Sequence, residues 1–210
     1  MENQSKLKTL LAEVRAADLK IVPRSVESAS IMPPQRLAPP VTMGVFLLKT
    51  GASIPLHDHP GMYGLLKVIY GKVRISCFDR LDKPREGTSG VQFNPPLMPF
   101  QSSSLRPSVL RSVGEYTEDS GPCVLSPQKD NIHQIDAVDG PTAFLDILAP
   151  PYEPDEGRDC HYYKVLHAHS ETADRNSEAQ EQGDLWLMEI PQPSEFWCGG
   201  EPYPGPKVSL

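Results

Sequence analysis

The chain has 210 residues, 39 % hydrophobic and 22 % charged, which suits one substantial core and excludes wholesale disorder. A net charge of −7 with no cluster of Lys and Arg argues against a nucleic-acid partner. The 23 prolines and 15 glycines disfavour long helices and predict short strands joined by many turns and loops.

Residues 5–20, SKLKTLLAEVRAADLK, are predicted to form an amphipathic helix. Ser5 is its N-cap, and Leu7, Leu10, Leu11 and Val14 form an apolar face for packing on the outside of the domain. From Pro23 to Pro40 the sequence reads as a proline-rich connector wrapped over the surface. From Thr42 onward the signal changes to strands. VTMGVFLLKTG ends at a glycine, and LLKVIY and KVRISCF are two β-prone runs hinged at Gly71, where a hairpin or bend is expected. RSVGEYTEDS, PCVLSP, IHQIDAV, TAFLDILAPP, CHYYKVLHA and LWLMEIP follow as further strands, with turn signals about every eight to twelve residues. Residues 170–184 are polar and acidic and read as an exposed loop. Such spacing predicts an all-β barrel or sandwich.

The first residues, MENQSKLKTLLAEV, lack the basic-then-apolar pattern of a secretory signal, and no apolar run approaches bilayer-spanning length. Cys77, Cys123, Cys160 and Cys198 are far apart and form no CxxC pair, so free thiols and a cytoplasmic location are expected, with no membrane partner.

The segment GASIPLHDHPGMYGLLKVIYG, residues 51–71, carries the chemistry. His57 and His59 are two apart, so on a strand both imidazoles project to one face and can chelate a divalent metal. Asp58 then points the other way and is a poor third ligand. An HxH pair alone is equally compatible with ordinary surface or core histidines. Its surroundings resemble the first motif of the cupin superfamily, with Gly51, His57, His59 and Gly71 in register and Gly64 where that motif has Glu. The protein can then supply only histidines to the metal. His133, in KDNIHQID, stands where the second cupin motif places its histidine, although the rest of that motif is degenerate. His161, His167 and His169 are weaker candidates. Three neutral imidazoles leave a dication its full charge, which favours an anionic donor such as a thiolate and lowers the thiol's pKa.

IPLHDHPGM, LLKVIYGKVRI, IHQIDA, FLDILAPPY and DCHYYKV together resemble the thiol dioxygenase family of the cysteamine (2-aminoethanethiol) dioxygenases and plant cysteine oxidases. The resemblance covers nearly the whole chain. It implies a single cupin domain over residues 1–210, a double-stranded β-helix (jelly-roll) barrel with a short N-terminal helix, residues 1–40 lying on its exterior. It implies Fe(II) held by His57, His59 and His133, and O2-dependent oxidation of cysteamine to hypotaurine, or of N-terminal cysteine in proteins to cysteine sulfinic acid. The protein reaction would make the enzyme an oxygen sensor feeding an N-degron pathway, and a monomer is expected.

Cys160 and Tyr162, two apart on a predicted strand, are suitably spaced for the Cys–Tyr thioether that the resemblance implies can form at this motif in animal members of the family. Simple packing is the alternative, and Tyr162 could also bond bound oxygen without a crosslink. Asp146 lies in an apolar strand and needs a partner, either a substrate ammonium or an internal ion pair or turn bond. Tyr152 and Trp197 are candidates for lining the barrel mouth. Another metal-dependent cupin enzyme, such as an isomerase, and a non-catalytic ligand-binding cupin are the competing readings. Neither a GxGxxG nor a GxxxxGK[ST] loop is present, so no nucleotide cofactor is expected.

Overall fold

The structure, a computed structural model, describes residues 2–21, 30–38, 41–83, 92–93, 96–167, 185–200 and 205–206. After helix α1 (Glu2–Ala12) come strands β1 (Ser30–Ala38), β2 (Val41–Leu48), β3 (Ser53–Asp58), β4 (Tyr63–Arg80) and β5 (Leu105–Thr117). They are followed by β6 (Cys123–Leu125), β7 (Ile132–Ala149), β8 (Tyr162–His167), β9 (Leu185–Ile190) and β10 (Gly199–Gly200). All belong to one sheet in the order β10-β1-β2-β7-β3-β8-β9-β5-β4-β6, and a further β7–β4 pairing joins distant parts of that order. The ring β7-β3-β8-β9-β5-β4 therefore closes on itself, so each strand within it has a partner on both sides. The all-β, double-stranded β-helix architecture expected from the sequence is the one observed.

Two 18-residue strands, β4 and β7, run antiparallel to one another through most of their length. Both bend rather than end in hairpins. In β4 the register shifts around Tyr70, and Gly71 takes φ +74°, where an added Cβ would lie 2.5 Å from the Pro141 carbonyl oxygen. Only glycine allows the strands to cross so closely with that backbone. IHQIDAV and TAFLDILA thus belong to one strand, not two.

The unbroken burial of Gly64–Tyr70 has a simple cause: β4 is covered on both faces. Leu66 and Val68 face the barrel interior with Ile54, Val73, Ile75, Ile135 and Phe144. Leu65 and Ile69 face outward into a second cluster completed by Leu11, Leu19 and Ile21 of the N-terminal segment. Lys67 shares that outer face at 1 % exposure, where its ammonium donates to the Glu118 and Ser120 carbonyls and is thereby satisfied.

The N-terminal helix differs from its predicted span. It starts at Glu2, ahead of Ser5, and stops at Ala12. Beyond it the Asp18 carboxylate accepts the Arg15 backbone N–H at 2.9 Å, a local bond that competes with helix continuation. Leu11 and the half-buried Val14 pack on the barrel, whereas Leu7 and Leu10 are exposed. The proline-rich connector contains strand β1, paired to β2 on one side and β10 on the other. Its register shifts between Met32 and Gln35, at Pro33–Pro34, where prolines that cannot donate leave the ladder. The predicted acidic loop at 170–184 lies outside the described residues, as does His169.

Candidate metal centre

The histidine triad is a product of strand register. His57 on β3 is the direct Cα partner of His133 on antiparallel β7, so the two side chains emerge on the same face. A register irregularity between Ile54 and His57 aims the end of β3, and His59 follows immediately after the strand. Ring centroids are 4.8 Å apart for His57–His59, 4.9 Å for His57–His133 and 4.7 Å for His59–His133. One ring nitrogen of each lies within 4.8 Å of the others, and all three residues are buried.

Outer contacts orient these rings. His57 Nδ1 lies 2.8 Å from the Pro55 carbonyl oxygen and His59 Nδ1 lies 3.1 Å from that of Asn131. An Nδ1–H donated outward leaves Nε2 of each ring as a lone-pair donor for a metal. Burial holds all three pKa values below the ordinary histidine range. For His59 the value falls to about 3, with the neighbouring His57 adding to the effect of burial and the Asn131 bond opposing it. The His133 value is depressed further by His59 and His57. Neutral imidazoles converging on one point are what a divalent metal requires, so the donor set fits the expected ion.

The carboxylate of the common cupin motif has no room here. A Cβ on Gly64 would lie 2.7 Å from Leu125 Cγ and 2.9 Å from its Cδ2, because Gly64 and Leu125 are register partners on β4 and β6. Leu125 is itself 6 % exposed. Gly64→Glu is therefore expected to overpack the barrel by about 1–3 kcal/mol and bury a carboxylate besides, lowering Tm without tightening metal binding. Leu125→Ala in the same chain should recover part of the loss. Isothermal titration and thermal melts check this, and tighter metal binding at wild-type Tm would refute it.

Two of the three rings, His57 and His59, line a cavity of about 290 Å³, whose walls also include Asp146, Tyr152, Cys160 and Tyr162. Phe46, Ile54 and Leu148 make its apolar side. Asp146 is the register partner of Gly44, which carries no side chain beside the carboxyl. Burial pushes the Asp146 carboxyl up to about 7, against the backbone N–H of Ile147, which lowers it. Tyr152 donates its hydroxyl to the Asp58 carbonyl at 2.7 Å, and its ring lies 5.6 Å from that of His59. Cys160 is within hydrogen-bonding reach of both the Tyr152 and Tyr162 hydroxyls, and burial pushes its thiol up to about 11. The structure thus brings Asp146, Tyr152, Cys160 and Tyr162 into one cavity with His57 and His59.

Trp197 corrects the expectation made for it. It is 64 % exposed and stands outside the cavity lining, its ring edge over Gly199. Phe196 lines the cavity instead and approaches the Tyr162 ring at 6.1 Å. Phe196 closes a turn, its backbone N–H donating to the Pro193 carbonyl at 3.0 Å, and it is this aromatic rather than Trp197 that reaches the wall. Two further residues have roles that the sequence reading missed. Asn131 brackets His59, accepting its backbone N–H at 3.2 Å, donating to its carbonyl at 2.7 Å and accepting its ring nitrogen on the main chain. Asp58 points away from the histidine triad, as expected, but into a network of its own on the outer side of β3. An Asn two residues before a late histidine was the only sequence signal available for the first.

The chain is 56 % identical to the 2-aminoethanethiol dioxygenase of Homo sapiens, across 99 % of this chain and 82 % of that protein. It is 30 % identical to plant cysteine oxidase 1 of Arabidopsis thaliana, across 82 % of this chain and 60 % of that one. Among solved structures, a cupin superfamily protein from Desulfitobacterium hafniense is similar with a TM-score of 0.38 and 14 % identity, covering 62 % of this chain and 84 % of that one. The sequence model of the PCO_ADO family matches residues 10–208, from the N-terminal helix to the last described residues. With a match of that extent, and the histidine triad and Cys160–Tyr162 segment both within it, the chain belongs to the PCO_ADO family.

Proposed function

We propose that the chain, as one catalytic domain over residues 1–210, is a cytoplasmic, monomeric thiol dioxygenase that uses Fe(II) and O2. Its substrates are cysteamine, converted to hypotaurine, and proteins with N-terminal cysteine, converted to the sulfinic acid, which would make it an oxygen sensor of an N-degron pathway. The observation that carries the reading is the all-imidazole triad, two of whose rings line a cavity that also holds a half-buried carboxyl and a Cys–Tyr pair. The names of the animal and plant relatives support it. Among the described residues no helix is long and apolar enough to cross a membrane.

His57, His59 and His133 would hold the iron, which when bound supplies open positions for a thiolate and O2 and a path for electrons between them. Three neutral ligands leave its charge uncancelled, which favours the deprotonated thiol. The reaction balances without any other reductant: RSH and O2 give RSO2H, the sulfur losing four electrons and both oxygen atoms ending on it. Asp146 would accept the substrate ammonium, placing the thiol two carbons away toward the triad. Tyr152, pinned to the Asp58 carbonyl, would hold one wall in place. Cys160 and Tyr162 are the pair that a thioether would join, and the Tyr162 hydroxyl would otherwise face the reacting thiol. Phe46, Ile54, Leu148 and Phe196 exclude water, which strengthens each polar contact.

Aerobic incubation of the iron-loaded protein with cysteamine, and separately with an N-terminal-cysteine peptide, tests the proposal by mass spectrometry. A gain of two oxygen atoms on either is the expected result. No gain on both, with iron retained, would overturn it.

A further inference from the structure

β3 and the chain entering β8 meet at one register pair, His57 with Tyr162. His57 and His59 face the cavity from one side of that contact, and Cys160 and Tyr162 face it from the other. The residues between them, Asp58 and His161, point the opposite way and are bonded together. The His161 backbone N–H donates to Asp58 Oδ1 at 2.9 Å, and His161 Nδ1 lies 3.1 Å from the same oxygen. The Asp58 backbone N–H returns a bond to the His161 carbonyl at 3.1 Å. The other carboxylate oxygen accepts Arg80 Nη2 at 2.9 Å and the Tyr163 hydroxyl at 2.8 Å. Arg80 also bonds that hydroxyl and lies 5.1 Å over the Tyr163 ring.

Asp58 is 3 % exposed, and its strand neighbours on this face are apolar: Leu56, with Ile132 and Phe78 in the adjoining strands. A buried, fully bonded carboxylate among such residues adds little net stability but fixes one arrangement, since every alternative leaves a charge unpaired. What it fixes is the spacing between the two ligand histidines and the Cys160–Tyr162 segment. We infer that Asp58, held by Arg80 and Tyr163, is a positioning residue that locks the metal-ligand strand to the Cys160–Tyr162 segment. It acts through its neighbours and touches neither substrate nor metal. The inference rests on the proposed reaction being centred on the triad.

The network can be reached from solvent. Arg80, His161 and Tyr163 line an outer cleft of about 670 Å³, and the Arg80 side chain is 44 % exposed. A small guanidinium can therefore enter the place of a deleted arginine head group. The test is Arg80→Ala, read by Co(II) affinity, by the ligand-field bands of the Co(II)-loaded protein, and by kcat and KM for thiol-dependent O2 uptake. The expected result is a loss of about 10–100-fold in Co(II) affinity with shifted bands. A fall in kcat should accompany it with KM near wild type, and ethylguanidinium at a sub-denaturing concentration should restore both. A variant with wild-type bands, affinity and kcat overturns the inference, however far its Tm has fallen. A loss that follows Tm and is not restored by ethylguanidinium overturns it equally. Should Arg80→Ala not fold, Tyr163→Phe removes a single hydroxyl and is read the same way, with shifted Co(II) bands expected and unshifted ones decisive against. If the wild-type protein takes up no oxygen with any thiol, the proposed function fails, while the Co(II) measurements still judge Asp58.

Discussion

Replacing His133 with alanine is expected to abolish iron loading and thiol-dependent O2 uptake together, and His57→Ala should do the same. Two imidazoles remain in either variant, but the facing pair of β3 and β7 is broken. Loss of an outer partner of a metal ligand costs up to about 100-fold in affinity or activity, so loss of the ligand itself should exceed that. A second readout separates ligand loss from misfolding. All three histidines have folded-state pKa values below their ordinary 6.5, because burial disfavours the imidazolium. Below pH 6.5 the unfolded chain therefore binds protons that the folded chain does not, and stability of the metal-free protein falls as pH falls. Each such proton contributes roughly 1.4 kcal/mol per pH unit. A folded His133→Ala protein should show a shallower acid dependence than the wild type in chemical denaturation, since one of the three protons is gone. Full iron-dependent activity in either variant, or an unchanged acid slope, would remove that histidine from the triad.

How far the sequence reaches this site depends on the range of the interactions involved. Strand runs such as LLKVIY and TAFLDILA are legible because β-branched and aromatic residues sit between glycines and prolines. The HxH pair is legible because two residues on one strand must share a face. His133 is legible only through its place after a turn, and its partnership with His57 is a fact of register that no local pattern encodes. The Asp58 network lies beyond local reading altogether: its partners are 22, 103 and 105 positions away. Strand β1 hides because Pro33 and Pro34 argue against a strand, and only its register shift there reconciles the two. Trp197 misleads for the opposite reason. Its segment lacks regular secondary structure, so no periodicity says which aromatic of Phe196–Trp197 turns inward. Gly64 is informative as an absence, but the leucine that fills the vacated position comes from β6, some sixty residues on.

Asp146→Asn is expected to separate substrate binding from stability in opposite directions. The carboxyl is pushed up to about 7 by burial, so in the metal-free protein its ionisation opposes folding. The sign follows from linkage. A carboxyl raised above its ordinary 3.8 contributes stability that is present at low pH and lost as pH rises through about 7. An asparagine there carries no such penalty, so the metal-free variant should be more stable than wild type at pH 8, by on the order of a few kcal/mol. The same change removes the proposed partner of the substrate ammonium. A charged hydrogen bond contributes about 1.5–3 kcal/mol, so KM for cysteamine should rise by about 10–100-fold. A thiol without an amine should be little affected. In the wild type, KM for cysteamine should rise as pH falls through the carboxyl's pKa, which a bound dication moves below about 7. Denaturation of the metal-free proteins at pH 5 and 8, with steady-state kinetics on the two thiols, measures all of these. An Asn variant with wild-type KM for cysteamine would show that Asp146 does not contact the ammonium, and its buried carboxyl would then need a different partner.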